Sequence, residues 1–275
     1  MADHVLWTEE ECEPSVWTEA DLAVLQDADF RADGKAPSVG KIARRLQQQS
    51  RHDLLNYLRS IQHDSHYITS ALQAIRSRPG CTAFPAFANL RNGQWYGPPS
   101  AWEGTCYFKS ADGHCGQWAF SYTRLNLHVA CKAAMAGGCV VVDSTRRGKR
   151  FPDALTATVP LWCAVINSTL ASIRGPDWDC SLHTPPWLSP SEASQIADRI
   201  APSVAGLGTA ADALRAQLGQ HLARPLRPLW QAPGVPLSTE EGDLGDMGGL
   251  PFVPVICISA SEVSSVAFVE QLALL

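Results

Sequence analysis

The sequence lacks the cysteine and glycine signatures of several well-defined protein classes. Its nine cysteines form no C-x-x-C pair. Since Cys139, Cys163 and Cys257 lie in apolar runs, we expect reduced core thiols rather than a disulfide framework. No G-x-x-x-x-G-K loop followed by Ser or Thr occurs, which argues against a Walker-type NTPase. No arginine stands six residues after a cysteine, so the nucleophile loop of tyrosine phosphatases is excluded as well.

Long apolar runs and secretion signals are also missing from the sequence. We see no apolar run that approaches the length needed to cross a bilayer. The N-terminus has neither the basic start nor the apolar run of a signal peptide. These absences predict a cytoplasmic protein without a membrane partner.

Charge is distributed unevenly along the 275 residues, whose net charge is −5. Residues 1–33 contain ten acids and one base, whereas residues 34–275 contain 21 bases and 17 acids. An acidic leader on a mildly basic body is compatible with RNA binding but does not require it. We expect residues 1–37 to be a flexible leader, and residues 38–260 to form one main domain with a substantial core.

Apolar periodicity predicts helices in the first part of that domain and strands after them. A stripe that includes Leu54 and Leu58 predicts one helix, and a separate helix is expected over residues 65–76. In residues 81–123, aromatics and glycines alternate with polar residues. That alternation is typical of short strands and ordered loops.

The pattern then alternates between helix and strand. A helix is expected over residues 125–136, and the apolar run at residues 139–142 predicts a short buried strand. Pro152 suits the first turn of the next helix, in which Pro160 predicts a kink.

The last third of the chain predicts further helices and one more strand. Ser189 begins a capping box, so helices are expected over residues 190–200 and 204–222. Residues 252–258 are typical of a final strand, with Pro254 at an edge or entry position. Together these elements indicate an α/β fold (or an α+β fold) with a mixed central sheet flanked by helices.

The strongest local signal is a basic loop, residues 144–150, directly after the predicted buried strand. Asp143 ends that strand, at the edge where open α/β sheets bind ligands, and it offers the oxygen that a Mg²⁺-pyrophosphate requires. Small or flexible residues that can turn backbone N–H groups toward a phosphate are Ser144, Thr145 and Gly148. The cations that match phosphate oxygens are Arg146, Arg147, Lys149 and Arg150. The alternative is a solvated basic turn or a nuclear-localisation-like run, which a preceding buried strand makes less favoured.

A second polar cluster lies before the predicted helix at residues 125–136 and in its first turn. It brings together a cation, a carboxylate and imidazoles, and its members are Lys109, Asp112, His114, Arg124, Asn126 and His128. Such a set can orient a sugar hydroxyl, with Asp112 or His114 as general base. An Asp-Gly hairpin turn with structurally satisfied histidines explains the same residues equally well.

These residues lie within blocks that resemble one family, the initiator-tRNA 2′-O-ribosyl-phosphate transferases of fungi and plants. The blocks occur in order over about residues 38–260. They are Asn89-Leu90-Arg91, Trp95-Tyr96, Cys106-Tyr107-Phe108-Lys109-Ser110, Asp112-Gly113-His114, Gly116-Gln117-Trp118, Arg124-Leu125-Asn126-Leu127-His128, Val142 to Arg150, Pro152-Asp153-Ala154-Leu155, Val159-Pro160, Trp162-Cys163, Thr184-Pro185-Pro186-Trp187, Pro225-Leu226-Arg227-Pro228, and Pro254 with Ile256-Cys257.

The resemblance implies a specific reaction. Enzymes of this family transfer a phosphoribosyl group from 5-phosphoribosyl 1-pyrophosphate to the 2′-hydroxyl of adenosine 64 in cytoplasmic initiator tRNA, which keeps that tRNA out of elongation. Mg²⁺ would neutralise the pyrophosphate leaving group. A non-catalytic module that binds tRNA or phosphate, or an inactive fragment, is the alternative.

We assign the candidate residues to parts of this reaction. The basic loop is expected to bind donor phosphates, and Asp143 and Asp153 to bind metal. Lys109, Asp112, His114 and Asp143 are the candidates for catalysis. The residues expected to contact the acceptor RNA are Arg91, Arg124, Asn126 and His128.

The chain departs from the family pattern at a few places. Ala111 and Cys115 stand where threonine is expected. Family members are longer and continue into a domain resembling dual-specificity phosphatases, so residues 261–275 are expected to be a tail outside the family domain.

Overall fold

The computed structural model describes residues 39–90, 93–145, 149–237 and 246–260. Contacts divide the chain into residues 1–56 and residues 57–275. The described part of the first unit is the beginning of a helix, and the second contains the sheet. The predicted leader and tail lie outside the described residues, as do Arg91, Arg146, Arg147 and Gly148.

The described chain alternates between helices and parallel strands. The helices are α1 (Val39–Arg76), α2 (Leu127–Ala136), α3 (Val159–Leu170), α4 (Pro190–Ala197), α5 (Ile200–Gly206) and α6 (Ala210–Leu218). The strands are β1 (Ala86–Asn89), β2 (Gly104–Cys106), β3 (Cys139–Asp143), β4 (Leu226–Gln231) and β5 (Val253–Ser259).

The five strands form one sheet in the order β2-β1-β3-β5-β4. All four pairings are parallel; Val141 lies opposite Cys257, for example, and Ala88 opposite Val142. The predicted α/β class is therefore confirmed, and the described sheet is parallel rather than mixed. A parallel sheet requires both of its faces to be covered, because helical crossovers lie on both sides.

Strand β3 shows how the two faces are buried. Cys139 and Val141 pack with α2, α3 and α6 on one face. Val140 and Val142 pack on the other face with a cluster from the last turns of α1, which includes Ile68 and Leu72. Side chains alternate across a strand, so the continuous apolar run that predicted β3 serves two cores at once.

Helix α1 differs from the prediction of two helices. It runs without a break from Val39 to Arg76. Leu54 and Leu58, which belong to the apolar stripe that predicted a helix, are 60% and 54% exposed. The part that packs under the sheet lies further along, at Ile68, Leu72 and Ile75, because burial depends on which turns face the sheet as well as on apolar spacing.

Helix α3 begins with a widened turn at the place where a kink was predicted. Residues Ala154–Thr158 form a π-helical turn that leads directly into α3 at Val159. Pro160 cannot donate a backbone hydrogen bond, and its ring crowds the preceding turn, which favours such a local widening.

The helical stretch Ala154–Ile173 is long and apolar enough to cross a membrane by length and composition alone. The expectation that no stretch approaches that length was therefore wrong. In the structure 83% of its most apolar part is buried inside the protein. Its apolar side chains are thus used for packing against the sheet.

The region after α3 confirms a cap and adds a strand that was not predicted. Ser189 accepts a hydrogen bond from the backbone N–H of Glu192 at 3.2 Å, as the capping box requires. Three short helices follow, where two were predicted. Strand β4 was missed because Pro228 lies inside it, and proline is tolerated there because β4 is at an edge of the described sheet.

A buried asparagine fastens β4 to α3. The side chain of Asn167 donates to the carbonyl of Leu226 and accepts from its N–H, both at 2.9 Å. We expect Asn167→Ala to lower the free energy of unfolding by about 2–4 kcal/mol, because two buried backbone groups lose their partners. Urea denaturation measures the change, with Gln217→Ala on the exposed face of α6 as control. Equal stability of the two variants would show that the hydrogen bonds between Asn167 and Leu226 do not stabilise the fold.

Candidate functional site

The strand order creates a crevice between the carboxyl ends of β1 and β3. From β1 the chain crosses to β2 on one side, whereas from β3 it crosses toward β4 and β5 on the other. Loops that leave in opposite directions open a gap at the point of divergence, which is where doubly wound sheets bind ligands. Here Asn89 ends β1 and Asp143 ends β3.

Asn89 and Asp143 are joined by a hydrogen bond across this crevice. The Asn89 amide donates to Asp143 Oδ2 at 2.7 Å and to the carbonyl of Phe108 at 2.8 Å, and its oxygen accepts from the N–H of Phe108 at 2.8 Å. Asp143 Oδ1 accepts from the N–H of Ser144 at 2.8 Å. Both side chains are buried, so each needs these partners.

Two further polar side chains line the crevice on the side of α1. Tyr96 follows β1, and Asp64 belongs to α1; both are buried. Burial raises the pKa of Tyr96, a hydrogen bond with Ser144 opposes that change, and the nearby carboxylates of Asp64 and Asp143 add to it. The crevice is therefore a polar site with two carboxylates, set in an otherwise apolar layer.

The loop after β2 is docked against the start of the helical segment that leads into α3. Ser110–Gly113 form a single 3₁₀ turn. A Cβ atom at Gly113 would lie 2.5 Å from the carbonyl oxygen of Asp153, so only glycine permits this approach. Thr158 donates a hydrogen bond to the carbonyl of Lys109 at 3.1 Å. The predicted hairpin alternative is not found, since β2 pairs in parallel with β1 in the described sheet.

This docking brings three predicted site residues together. Asp153 Oδ1 lies 2.9 Å from Lys149 Nζ, and Asp153 Oδ2 lies 3.5 Å from His114 Nε2. All three line a cavity of about 400 Å³, together with Trp118 and Glu192 among others. The exposed imidazole of His114 is paired with the partly buried carboxylate of Asp153. This geometry is suited to proton transfer.

Asp112 and Arg124 form a second pair beside this cavity. Arg124 Nη1 lies 3.6 Å from Asp112 Oδ2 and 3.1 Å from Ser121 Oγ. The Arg124 guanidinium also lies over the ring of Tyr107, 4.6 Å from its centroid. The Asp112 Oδ2 atom is buried without a hydrogen bond, so Asp112 is less accessible to a substrate than His114.

Asn126 is held by the residue that follows β2, and His128 by β2 itself. The Asn126 amide accepts from the N–H of Tyr107 at 2.9 Å and donates to the carbonyl of Tyr107 at 3.2 Å. Its backbone is left-handed, with φ of 47°, which asparagine tolerates better than most residues. His128 Nε2 lies 2.8 Å from the carbonyl of Thr105. These contacts serve the fold, and contact with RNA stays a prediction for both residues.

The described part of the basic loop leads from the crevice to the helix start. Ser144 is buried beside Asp143, while Lys149 and Arg150 are exposed. The Lys109 side chain is exposed on the neighbouring loop. Positively charged side chains and the N-terminal end of a 17-residue helical segment (Ala154–Thr158 and then α3) together favour anions here.

The residues present allow a metal at Asp143 better than at Asp153. No group of three or more His, Cys, Asp or Glu side chains gathers in the described part of the chain. Mg²⁺ needs only one or two carboxylates when substrate phosphates supply the other oxygens, and Asp143 ends β3 at the crevice where parallel sheets bind such ligands. Each oxygen of Asp153 instead faces Lys149 or His114.

Sequence reasoning missed the roles of Asn89, Asp64 and Tyr96. Asn89 had a usable signal, because a polar residue that ends an apolar strand marks the same sheet edge as Asp143. Asp64 resembles any solvent-facing acid of a polar helix. Its burial results from tertiary packing, which no local pattern reveals.

Comparison with known proteins relates the chain to one family. The Rit1 N-terminal domain family matches residues 47–273. The chain belongs to this family. The range that matches the Rit1 N-terminal domain includes every residue of the candidate site, from Asp64 to Asp153.

Two relatives of this Rit1 domain illustrate its extent. The tRNA A64-2′-O-ribosylphosphate transferase of Saccharomyces cerevisiae is 36% identical over 201 residues, which are 72% of this chain and 38% of that protein. An uncharacterized protein of Schizosaccharomyces pombe is 39% identical over 199 residues, 70% of this chain and 42% of that protein. The chain therefore spans about two fifths of the length of these curated relatives. No solved structure matches the chain. The predicted membership of the family is confirmed.

The Asn89–Asp143 bond yields a pH-dependent prediction. Asn89→Asp places a second carboxylate where the amide now lies 2.7 Å from Asp143 Oδ2. Two buried carboxylates at this distance share a proton, so one folded-state pKa rises above its unfolded value. Stability relative to the wild type is then retained below about pH 4 and lost as the pH rises, by about 2–4 kcal/mol at pH 8.

Chemical denaturation across this pH range measures the effect. Gln94→Glu makes the same amide-to-acid change on the exposed turn after β1 and should leave the pH profile near that of the wild type. A profile for Asn89→Asp parallel to that control would show that the two side chains do not interact as described.

Proposed function

We propose that this chain carries the donor site and catalytic groups of a transferase that moves a 5-phosphoribosyl group onto tRNA. The donor is 5-phosphoribosyl 1-pyrophosphate, and the acceptor is the 2′-hydroxyl of adenosine 64 of cytoplasmic initiator tRNA. Membership of the Rit1 N-terminal domain family and the name of the S. cerevisiae relative support the reaction class. The structural observation that carries the proposal is Asp143 at the sheet crevice, followed at once by the basic loop.

The basic loop binds the phosphates of the donor in this proposal. Its exposed members Lys149 and Arg150 supply charge, and the N-terminal end of the helix that follows supplies backbone N–H groups. Sequence alone assigns Arg146, Arg147, Gly148 and Thr145 to the same task. The four cations of the loop complement the negative charge of the donor's pyrophosphate and 5-phosphate groups. A neutral turn would bind these groups less tightly.

Mg²⁺ is the proposed cofactor, with Asp143 as its protein ligand. When bound, it would neutralise charge that develops on the leaving pyrophosphate. Asn89 keeps the Asp143 carboxylate turned toward the crevice through the bond to Oδ2. Asp153, which was also considered for the metal, is better placed to hold His114 and Lys149.

The chemical step is a displacement at C1 of the donor ribose. The acceptor 2′-oxygen forms a bond to C1 while the bond from C1 to the pyrophosphate oxygen breaks. His114 Nε2 faces Asp153, so Nδ1 is the nitrogen that accepts the hydroxyl proton, and the Asp153 carboxylate stabilises the imidazolium that results. Asp112 and Arg124 hold the adjacent loop in place.

Transfer is tested with purified protein, labelled donor and initiator tRNA. We expect label in adenosine 64 and none in an elongator tRNA. Asp143→Asn and Arg147→Ala should each lower the rate by about a hundredfold or more, because each removes charge stabilisation at the donor. The exposed residues Asp177 and Arg199 provide matched controls, and Asp177→Asn and Arg199→Ala should transfer at the wild-type rate.

The proton acceptor is tested separately by kinetics. His114→Gln should lower kcat by about a hundredfold, because general base catalysis contributes about that much, and should leave tRNA affinity unchanged. His221→Gln, at an exposed imidazole elsewhere, serves as control. An unchanged kcat for His114→Gln would show that another group accepts the proton of the 2′-hydroxyl.

One result would overturn the proposal as a whole. Because the chain spans about two fifths of its relatives, the assay is repeated with the unmatched part of the S. cerevisiae protein supplied as a separate polypeptide. Absence of transfer in both assays refutes transfer chemistry. Salt-sensitive tRNA binding without consumption of donor would then favour the alternative, a non-catalytic tRNA-binding module.

A further inference from the structure

Three aromatic rings form a ladder directly beside the basic loop. Phe151 follows Arg150, and its ring is stacked on Trp187, with 4.8 Å between centroids and 22° between planes. Trp187 in turn meets the ring of Trp230 edge to face, at 6.3 Å and 75°. Trp230 is buried and fixed by a hydrogen bond from its indole N–H to the carbonyl of Leu155 at 2.8 Å. The ladder is therefore anchored to the core.

The middle ring of this ladder, Trp187, is exposed. Phe151 and Trp230 are buried, whereas Trp187 is 47% exposed. Phe151 stacks on the indole and Trp230 meets it edge to face, yet nearly half of the Trp187 surface stays accessible to solvent. A large aromatic ring that is held in a fixed orientation loses conformational entropy, and when half exposed it leaves apolar surface in water; such positions are typical of binding surfaces.

The charged residues and the cavity near Trp187 indicate which class of molecule could bind there. Lys149 and Arg150, both exposed, lie in the segment that leads into Phe151. The residue after Trp187, Leu188, lines the cavity that contains His114, Lys149 and Asp153. A partner that fits must present both negative charge and a flat apolar face at short range. Nucleic acids combine these two properties, because phosphates alternate with bases along the chain.

We propose that Trp187 is a stacking platform for a nucleobase of the RNA acceptor. The proposal deepens the proposed function and rests on it for the identity of the RNA. A base inside a duplex has both faces covered by its neighbours, so the base that stacks on Trp187 is an unstacked one. Stacking is sequence-tolerant, so the platform positions the RNA beside the cavity without reading its sequence.

The test measures tRNA affinity of the full chain at several salt concentrations. Trp187→Ala should weaken binding about tenfold to a hundredfold, the usual effect of losing one stacked base, whereas Trp187→Phe should stay within a few fold of the wild type. Trp95→Ala is the matched control, since Trp95 is 64% exposed on the turn after β1, and it should bind normally.

Salt dependence separates stacking from charge. Trp187→Ala should leave the slope of log affinity against log salt unchanged, whereas Arg150→Gln should reduce it by about one contact. Wild-type affinity for Trp187→Ala, or absence of any tRNA binding, would overturn the proposal. A loss of affinity that comes with a changed slope would also overturn it, because the effect would then be electrostatic.

Fluorine NMR tests the stacking in wild-type protein, so this test does not require Trp187→Ala to fold. In wild-type protein labelled with 5-fluorotryptophan, the fluorine resonance that is missing from Trp187→Phe belongs to Trp187. That resonance should shift on addition of tRNA and stay in place on addition of inorganic pyrophosphate. A resonance that does not move while tRNA binds refutes stacking.

The two proposals fail in different ways. If Trp187 contributes to tRNA binding but no phosphoribosyl group is transferred, the proposed reaction is wrong and the platform stands. If transfer occurs but Trp187→Ala binds tRNA and turns over like the wild type, the platform is wrong and the reaction stands.

Discussion

The hydrogen bond between Asn89 and Asp143 is the contact on which the rest of the site depends. It crosses the crevice between two strands whose loops leave in opposite directions. Asn89 uses its remaining groups on the backbone of Phe108, and Asp143 uses its second oxygen on Ser144. One buried pair thus fixes the starts of the loops after β1, β2 and β3. Such a charge-assisted bond is strong in a medium of low dielectric constant, and an unpaired carboxylate there would be costly.

The core explains why this pair stays in place. Strands β3 and β5 are apolar on both faces and are packed between α1 on one side and α2, α3 and α6 on the other. Close-packed layers resist small displacements, so the strand ends keep a constant separation. The turn at Ser110–Gly113 is then held against Asp153 by the close approach of Gly113, which sets His114 next to its carboxylate.

Local signals predicted the parts of the fold that local physics determines. The apolar run of β3, the polar residue that ends it and the Ser189 cap were all recognisable from sequence, and the α/β class followed from them. Strand β4 was not, because Pro228 is tolerated only by virtue of its edge position, which is a tertiary property. The pairing of His114 with Asp153 joins residues far apart in sequence, and the burial of Asp64 depends on what α1 packs against. Such contacts follow from assembly of the sheet and leave no periodic pattern.

The positions of Pro228 and of the short strand β2 affect how readily the edges of the sheet associate with other chains. Unpaired strand edges recruit strands of other chains, and long apolar edges are the most dangerous. In the described sheet the outer strands are β2, with three residues, and β4, in which Pro228 removes one N–H donor. The two most apolar strands, β3 and β5, are paired on both sides. The arrangement that opens a crevice for chemistry at one end of the sheet also leaves its sides poor templates for aggregation.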